Sequence, residues 1–446
     1  MAAADRSTAT VDLPSALAGK AVVSDGHCQL PPGIHDLDAP IRITGRDLRL
    51  RGATGDGRRL TRLRRGQHPD GQPYRGSLIE VVGADGIEIS DLLVDGGRLM
   101  AEGGAMRDLR HPLDPDRRSP RFLSAQALDD PACFQPAARM SLFQPDIQLA
   151  QSSAVVLSDL DAIGAVRIAV AVGPCCREVR LARCVIASAG DYGVWVGGGL
   201  ATAPPLPLAV TVEERLPARI SIEDSLIERC GAAGLYLEAI ETTVLRTLFL
   251  ENHLDAPYDD ESGQIVIDYK ARAIRLADCQ ILGGPLTLRR TTESADSRAN
   301  LLGTFGIEAC GQDITFENLV IEGNSREGVQ LVGARNVRIL GARTRIVHNQ
   351  LAALIHPASV GSSPRCNISV TTTGEMRRLN AVSCGLTLDG VRCENGIILW
   401  AHSTADDLSF DRLTVENSDL SGPDHAGVAV GRRADGTSVR GSDWSI

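Results

Sequence analysis

Aromatic side chains are scarce in this chain: Phe, Tyr and Trp together make up 3% of its 446 residues. A core built on stacked rings is thereby excluded, and the 43% apolar content must pack through Val, Ile, Leu and Ala. No apolar run is long enough to cross a bilayer as a helix, so no membrane partner is expected. A basic surplus is also lacking. With 46 Lys and Arg against 56 Asp and Glu the formal charge is −10, the wrong sign for nucleic acid as the main partner. The 11 cysteines form no C-x-x-C pair. Cys184 and Cys279 fall on strand positions, so they read as small buried hydrophobes in a reducing compartment, not as disulfides or metal ligands. Phosphate loops, G-x-S-x-G elbows and H-E-x-x-H helices are missing. The opening Met-Ala-Ala-Ala-Asp-Arg has no apolar core of a secretory signal; the expectation is a cytoplasmic protein, with a removed leader as the alternative.

What the chain does have is a repeat. Val179-Arg180-Leu181, Cys184-Val185-Ile186 and Gly193-Val194-Trp195-Val196 recur as Ile220-Ser221-Ile222, Ser225-Leu226-Ile227 and Gly234-Leu235-Tyr236-Leu237. They recur again as Ile314-Thr315-Phe316, Leu319-Val320-Ile321 and Gly328-Val329-Gln330-Leu331. Counting from 0, apolar residues fall at positions 0, 2, 5, 7, 15 and 17, and glycine at 14. That is three short strands per unit with period-2 alternation. The next unit starts at Val337, 23 residues after Ile314, and a period in the twenties without helical spacing predicts a stacked solenoid. The fold class expected is all-β: a parallel β-helix with long loop insertions.

Residues 1–29 read as an N-terminal extension or cap and 30–446 as one β-helix domain. Breaks in the pattern place insertions at about 98–150, 200–217, 254–263 and 291–310, with regular coils resuming near Ala154. Insertions that leave after particular strands build walls on limited faces, which is how a solenoid acquires a pocket.

This coil pattern resembles the right-handed parallel β-helix, pectate-lyase-like superfamily over roughly residues 30–440. The resemblance is one of fold; no family motif fixes a reaction. The superfamily holds polysaccharide lyases, glycoside hydrolases, difructose-anhydride-forming transferases, uronan epimerases and phage tailspikes, so the resemblance implies carbohydrate chemistry by analogy.

Parallel stacking sets equivalent residues of neighbouring rungs ~4.8 Å apart, so register converts into distance. Position 16 faces outward and reads Trp195, Tyr236, Val266, Thr287 and later Gln330. Trp195 and Tyr236 on neighbouring rungs predict a platform for a sugar ring; burial under an insertion is the plain alternative. Position 18 reads Gly197, Glu238, Asp268 and Arg289, provided that Ile265 and Leu286 both point inward on successive rungs. Glu238 and Asp268 one rung apart suit retaining glycosidic cleavage, one as nucleophile and the other as acid/base. Repulsion would raise one of the pair, and Arg289 would hold the other ionised. The alternative is a solvated Glu–Asp–Arg charge ladder.

Asp191, His253 and Arg290 are expected around this ladder as substrate contacts, with Gln330 further along. A lyase needs a base that removes the proton α to a carboxyl group and a cation for the enolate; Lys270 or Tyr269, with His253 as a further candidate, would be the base and Arg289 or Arg290 the cation. No cofactor is required by either chemistry. The acidic loop Asp255, Asp259, Asp260, Glu261 offers hard oxygen ligands for Ca²⁺, although loops of this composition are mostly just solvated. Position 6, read as Leu93, Val185, Leu226, Phe249 and Val320, predicts an outward apolar stripe that an insertion or another subunit must cover, hence a homo-oligomer such as a trimer. The sequence thus points to a carbohydrate-active enzyme that cleaves or transfers glycosidic bonds, with a polysaccharide lyase second and a non-catalytic glycan-binding or tailspike-like module third.

Overall fold

The computed structural model describes residues 9–67, 71, 73–98, 143–198, 210–254, 263–288, 301–350, 366–372, 385–401, 409–410, 412–423, 427–430, 440–441 and 444–445. Each coil contributes three short strands, and strands of successive coils pair in parallel, one residue directly over the next: the fold is a right-handed parallel β-helix. The chain forms two compact units, one ending at Gly231 and one beginning at Ala232 among the described residues.

In the first unit the first strands Ser153–Ser158, Arg177–Ala182 and Ala218–Glu223 stack with Val155, Val179 and Ile220 in line. The second strands Asp161–Ile163, Val185–Ala187 and Leu226–Glu228 do the same. Third strands Ile147–Ala150, Val170–Val172 and Val194–Val196 complete the coils. Regular stacking therefore resumes at Ile147, ahead of the expected Ala154. In the second unit the third strands Leu235–Leu237, Gly263–Ile267, Phe305–Ala309, Val329–Val332 and Ile368–Thr372 form one ladder. Inward positions are filled as the alternation requires: Val179, Leu181, Ile186, Val194 and Val196 are buried, as are Leu235, Leu237, Ile265 and Ile267. Each such side chain contributes roughly 1.5–3 kcal/mol by leaving water. Cys184 and Cys279 are each buried in their own unit, their thiols against backbone carbonyls, and neither forms a disulfide.

In two successive coils of the first unit the corners are made without glycine. Glu178, Arg183 and Ser188 have φ of 57°, 54° and 58°, and Arg219, Asp224 and Arg229 repeat this at 56°, 50° and 55°. A left-handed residue every fifth position turns the chain in a single step. L-residues adopt that conformation at a cost of roughly 1–2 kcal/mol, offset here because the corner amides join the stack: Arg183 N donates to Glu223 O and Ser188 N to Glu228 O, both at 3.0 Å.

The glycine at position 14 has a different cause. A Cβ on Gly234 would lie 2.7 Å from the Asn252 amide, and one on Gly328 would lie 2.8 Å from that of Asn349. Those asparagines belong to a buried amide ladder: Asn324 donates to Asn349 Oδ1 at 2.8 Å and Asn349 to Asn367 Oδ1 at 2.7 Å. Where the following corner is Gly284, position 14 is Gln264, whose side chain enters the ladder instead and donates to Asn324 at 2.8 Å.

Two expectations fail here. Leu286–Leu288 is not a rung: it pairs antiparallel with Leu301–Gly303, and the rung after Ile265 is Ile307. Leu286-Thr287-Leu288 carries the alternation of a rung strand, but Pro285 precedes it, whereas Gly306 precedes Ile307. The outward apolar stripe also dissolves. Phe249 is fully buried and points inward; Leu248 takes the outward place beside Gln280, and Asp161 stands between Leu93 and Val185. Position 6 is thus a mixed surface, and the motive for a trimer goes with the stripe.

Candidate functional site

Outward residues of the third-strand ladder in the second unit read Tyr236, Val266, Glu308, Gln330 and Ser369, one per rung. Two residues further along each strand come Glu238, Asp268, Cys310 and Val332. The strand ends aim Glu238 and Asp268 out of the cylinder because Leu237 and Ile267 before them point in. Asp268 N donates to Leu237 O at 2.8 Å, so the parallel ladder runs up to the two carboxyls and holds them on adjacent rungs.

Their surroundings differ. Glu238 is buried, and its Oε1 receives the Lys270 ammonium, whose side chain stays 35% exposed. Asp268 accepts on both oxygens: the Tyr236 hydroxyl donates to Oδ2 at 2.8 Å and the Lys270 backbone N–H to Oδ1 at 3.0 Å. Burial nonetheless raises the Asp268 carboxyl above its ordinary range; the hydrogen bonds from the Lys270 backbone and Tyr236 pull the other way and do not cancel it. Burial works to lower the Lys270 ammonium, but the hydrogen bonds and charges of Glu238 and Tyr269 together outweigh it and lift it above the usual lysine value. The ammonium stands 5.0 Å from the centre of the Tyr269 ring, within cation–π range.

Trp195 belongs to the first unit, half-buried on the rung next to Ala171. Asp191 is fully buried in the corner before its third strand, with Arg167 Nε 3.4 Å from its carboxylate. His253 is 1% exposed, and its Nδ1 lies 3.0 Å from Thr304 Oγ1. It too sits at a corner before the third strand, at the end of the sheet opposite Glu238, because the chain enters this ladder there. Gln330 lies in the outward row two rungs beyond Val266. Arg289 and Arg290 lie outside the described residues, and with Leu286 off the ladder the position assigned to Arg289 belongs to Cys310. The acidic loop from Asp255 to Glu261 is likewise outside them. Among the described residues no group of acidic, His and Cys side chains has the arrangement to hold a metal ion.

Sequence reasoning missed Glu308, the outward neighbour of Val266. The glycine rule was the available signal, since Gly306 marks its strand. A groove of about 420 Å³ in the first unit, lined in part by Arg49, Arg51, Asp91 and Arg183, offers no comparable pair. Its arginines are bound to Glu88, Asp91 and Asp159.

No protein-family model and no curated protein matches this chain. Among solved structures it is similar to the A-module of mannuronan C-5 epimerase AlgE4 from Azotobacter vinelandii, with 11% identity, a TM-score of 0.45 and coverage of 94% of this chain and 91% of that one. It is similar to a polygalacturonase from Erwinia carotovora at 9% identity and a TM-score of 0.39, covering 89% of each. It is also similar to the surface adhesin PfbA of Streptococcus pneumoniae at 9% and 0.38, covering 91% of each. Enzymes and an adhesin stand together in that set, so any functional reading has to rest on this chain's own residues.

Proposed function

We propose that this chain is a carbohydrate-active enzyme that cleaves or transfers a glycosidic bond through Glu238 and Asp268. The observation that carries the reading is the unlike treatment of two carboxyls on adjacent rungs: one is bound to an ammonium, the other pushed by burial toward its protonated form. Two carboxyls whose environments separate them supply an acid and a nucleophile. Asp268 would pass its proton to the glycosidic oxygen as the bond to the anomeric carbon breaks, while Glu238 forms a covalent ester with that carbon. Water would then break the ester, giving its proton back to Asp268. A rung spacing of ~4.8 Å lies close to the ~5–5.5 Å of retaining enzymes. Lys270 takes the part foreseen for Arg289, that of a fixed counter-charge.

A neutral sugar fits better than a uronate, because two carboxyls and one ammonium leave the described cluster without surplus positive charge for an anion. The lyase reading needs a neutral Lys270 or an ionised tyrosine, and a lysine held above its usual value in an ion pair is a poor base.

The test is turnover of a panel of neutral oligosaccharides followed by release of reducing ends. Glu238→Gln and Asp268→Asn should each lose roughly 10²–10⁴-fold in kcat while melting as the parent does. Full activity in both variants overturns the assignment. Products that absorb through a new C=C bond assign the chain to the lyases, and sugar affinity without turnover in the parent assigns it to binding proteins.

A further inference from the structure

Tyr236 faces outward in a chain with few rings, and the plain role for it is a surface on which a sugar stacks. Its hydroxyl indicates another. Tyr236 sits on the rung before Asp268 and two positions short of it, so the side chain crosses the ladder diagonally, a distance within reach of a long aromatic residue. At its end the phenol donates to Asp268 Oδ2 at 2.8 Å, while Oδ1 is taken by the Lys270 backbone N–H at 3.0 Å. One donor comes from the preceding rung and one from the turn that follows Asp268. Two donors on two oxygens fix the plane of a carboxyl; one leaves it free to rotate about its last bond.

We infer that Tyr236 is a positioning residue whose hydroxyl, not whose ring face, is its contribution: it locks the Asp268 carboxyl in the orientation from which the proton is passed. The inference rests on the assignment of Asp268 as the acid. The phenol suits the task because its O–H turns. It donates to Oδ2 while Asp268 is ionised; before a sugar is bound, a proton on Oδ2 is held by the phenol oxygen, and as that proton passes to the glycosidic oxygen the phenol turns to donate to the carboxylate left behind. Among the described residues, the titratable groups that act on Asp268 are Tyr236 and Glu238 on the preceding rung and Lys270 in its own turn, where Tyr269 is the next residue. Glu308 and Cys310 follow on the next rung.

Tyr236→Phe separates hydroxyl from ring, since it keeps the aromatic face and removes a single oxygen. Two readouts are made on the full chain. The first is the midpoint of the Asp268 carboxyl, followed by ¹³C NMR and assigned by its disappearance in Asp268→Asn; it needs no substrate. Loss of a donor to the ionised form moves this midpoint upward in Tyr236→Phe. The second is kinetics on an oligosaccharide that the parent turns over: kcat falls about tenfold or more, KM changes less than about twofold, and the alkaline limb of the kcat profile moves with the carboxyl midpoint. An unmoved midpoint overturns the inference, as does a Tyr236→Phe enzyme with parental kcat. A rise in KM alone, reproduced by Tyr236→Ala, returns Tyr236 to the role of sugar platform. Failure of the Asp268 assignment reads differently: Asp268→Asn stays active whatever Tyr236 does.

Discussion

Two of the ion pairs among the described residues hold a buried carboxylate and are built for opposite ends. In the first unit Arg65 and Asp146 are sealed, with side chains 2% and 1% exposed. Arg65 donates to the carbonyls of Gly96, Tyr74 and Gly76 at 2.8, 2.7 and 2.6 Å and to Asp146 Oδ1 at 2.6 Å, between the rings of Tyr74 and Phe143. Every one of those contacts ties one chain segment to another, and no face is left for a ligand. In the second unit Lys270 meets Glu238 with a third of its side chain in water, and a second carboxyl waits on the adjacent rung. A sealed pair serves architecture; under the function proposed above, the half-open pair beside a second titratable group serves chemistry.

The largest expected effect breaks the sealed pair. Asp146→Ala leaves the Arg65 charge buried without its partner and should cost about 3–5 kcal/mol, measured by denaturant unfolding. Glu238→Ala leaves only a partly exposed ammonium and should cost below about 1 kcal/mol. Equal losses would erase the distinction between the two.

A steric push beside the half-open pair sharpens the contrast at smaller scale. A Cβ on Gly306 would lie 2.5 Å from the Gly328 carbonyl oxygen. Gly306→Ala should therefore displace the rung that follows Asp268 and cost about 1–3 kcal/mol, read as a lower melting temperature together with reduced turnover. Parental stability would show that the rungs slide freely there.

The smallest effect is on the pH dependence of stability. Burial raises the Asp268 carboxyl in the folded chain. Between its ordinary value and the raised one, the folded chain holds a proton that the unfolded chain has lost, so stability falls as pH rises through that window. Asp146, pushed up to about 6 by burial, contributes the same sign between its ordinary value and 6. Asp268→Asn should remove part of this slope in a series of urea unfolding curves and leave the Asp146 part; an unchanged slope would mean that Asp268 titrates alike in both states.

Architecture was largely legible in the sequence, because inward positions obey a two-residue alternation filled mostly by apolar side chains, as at Val179, Leu181, Leu235 and Leu237. The same counting brought Glu238 and Asp268 to adjacent rungs, since Ile265 and Ile267 continue the Leu235 and Leu237 columns. Alternation alone does not separate a rung from a hairpin, and Leu286-Thr287-Leu288 was misplaced for that reason. Phe249 was put outside by a count one residue out of step, in a coil whose first inward residue is Thr242 and not an aliphatic one. The corners escaped notice because Glu178, Arg183 and Asp224 adopt positive φ without the glycine that usually marks it. Lys270 bound to Glu238 and Tyr236 bound to Asp268 depend on side-chain paths across rungs, which a linear pattern does not encode.

The most direct measurement is the anomeric configuration of the first sugar released, followed by proton NMR before mutarotation. Carboxyls held one rung apart on one ladder predict that the configuration at the cleaved carbon is kept. An inverted product, which requires room for a water between acid and base, would contradict the account.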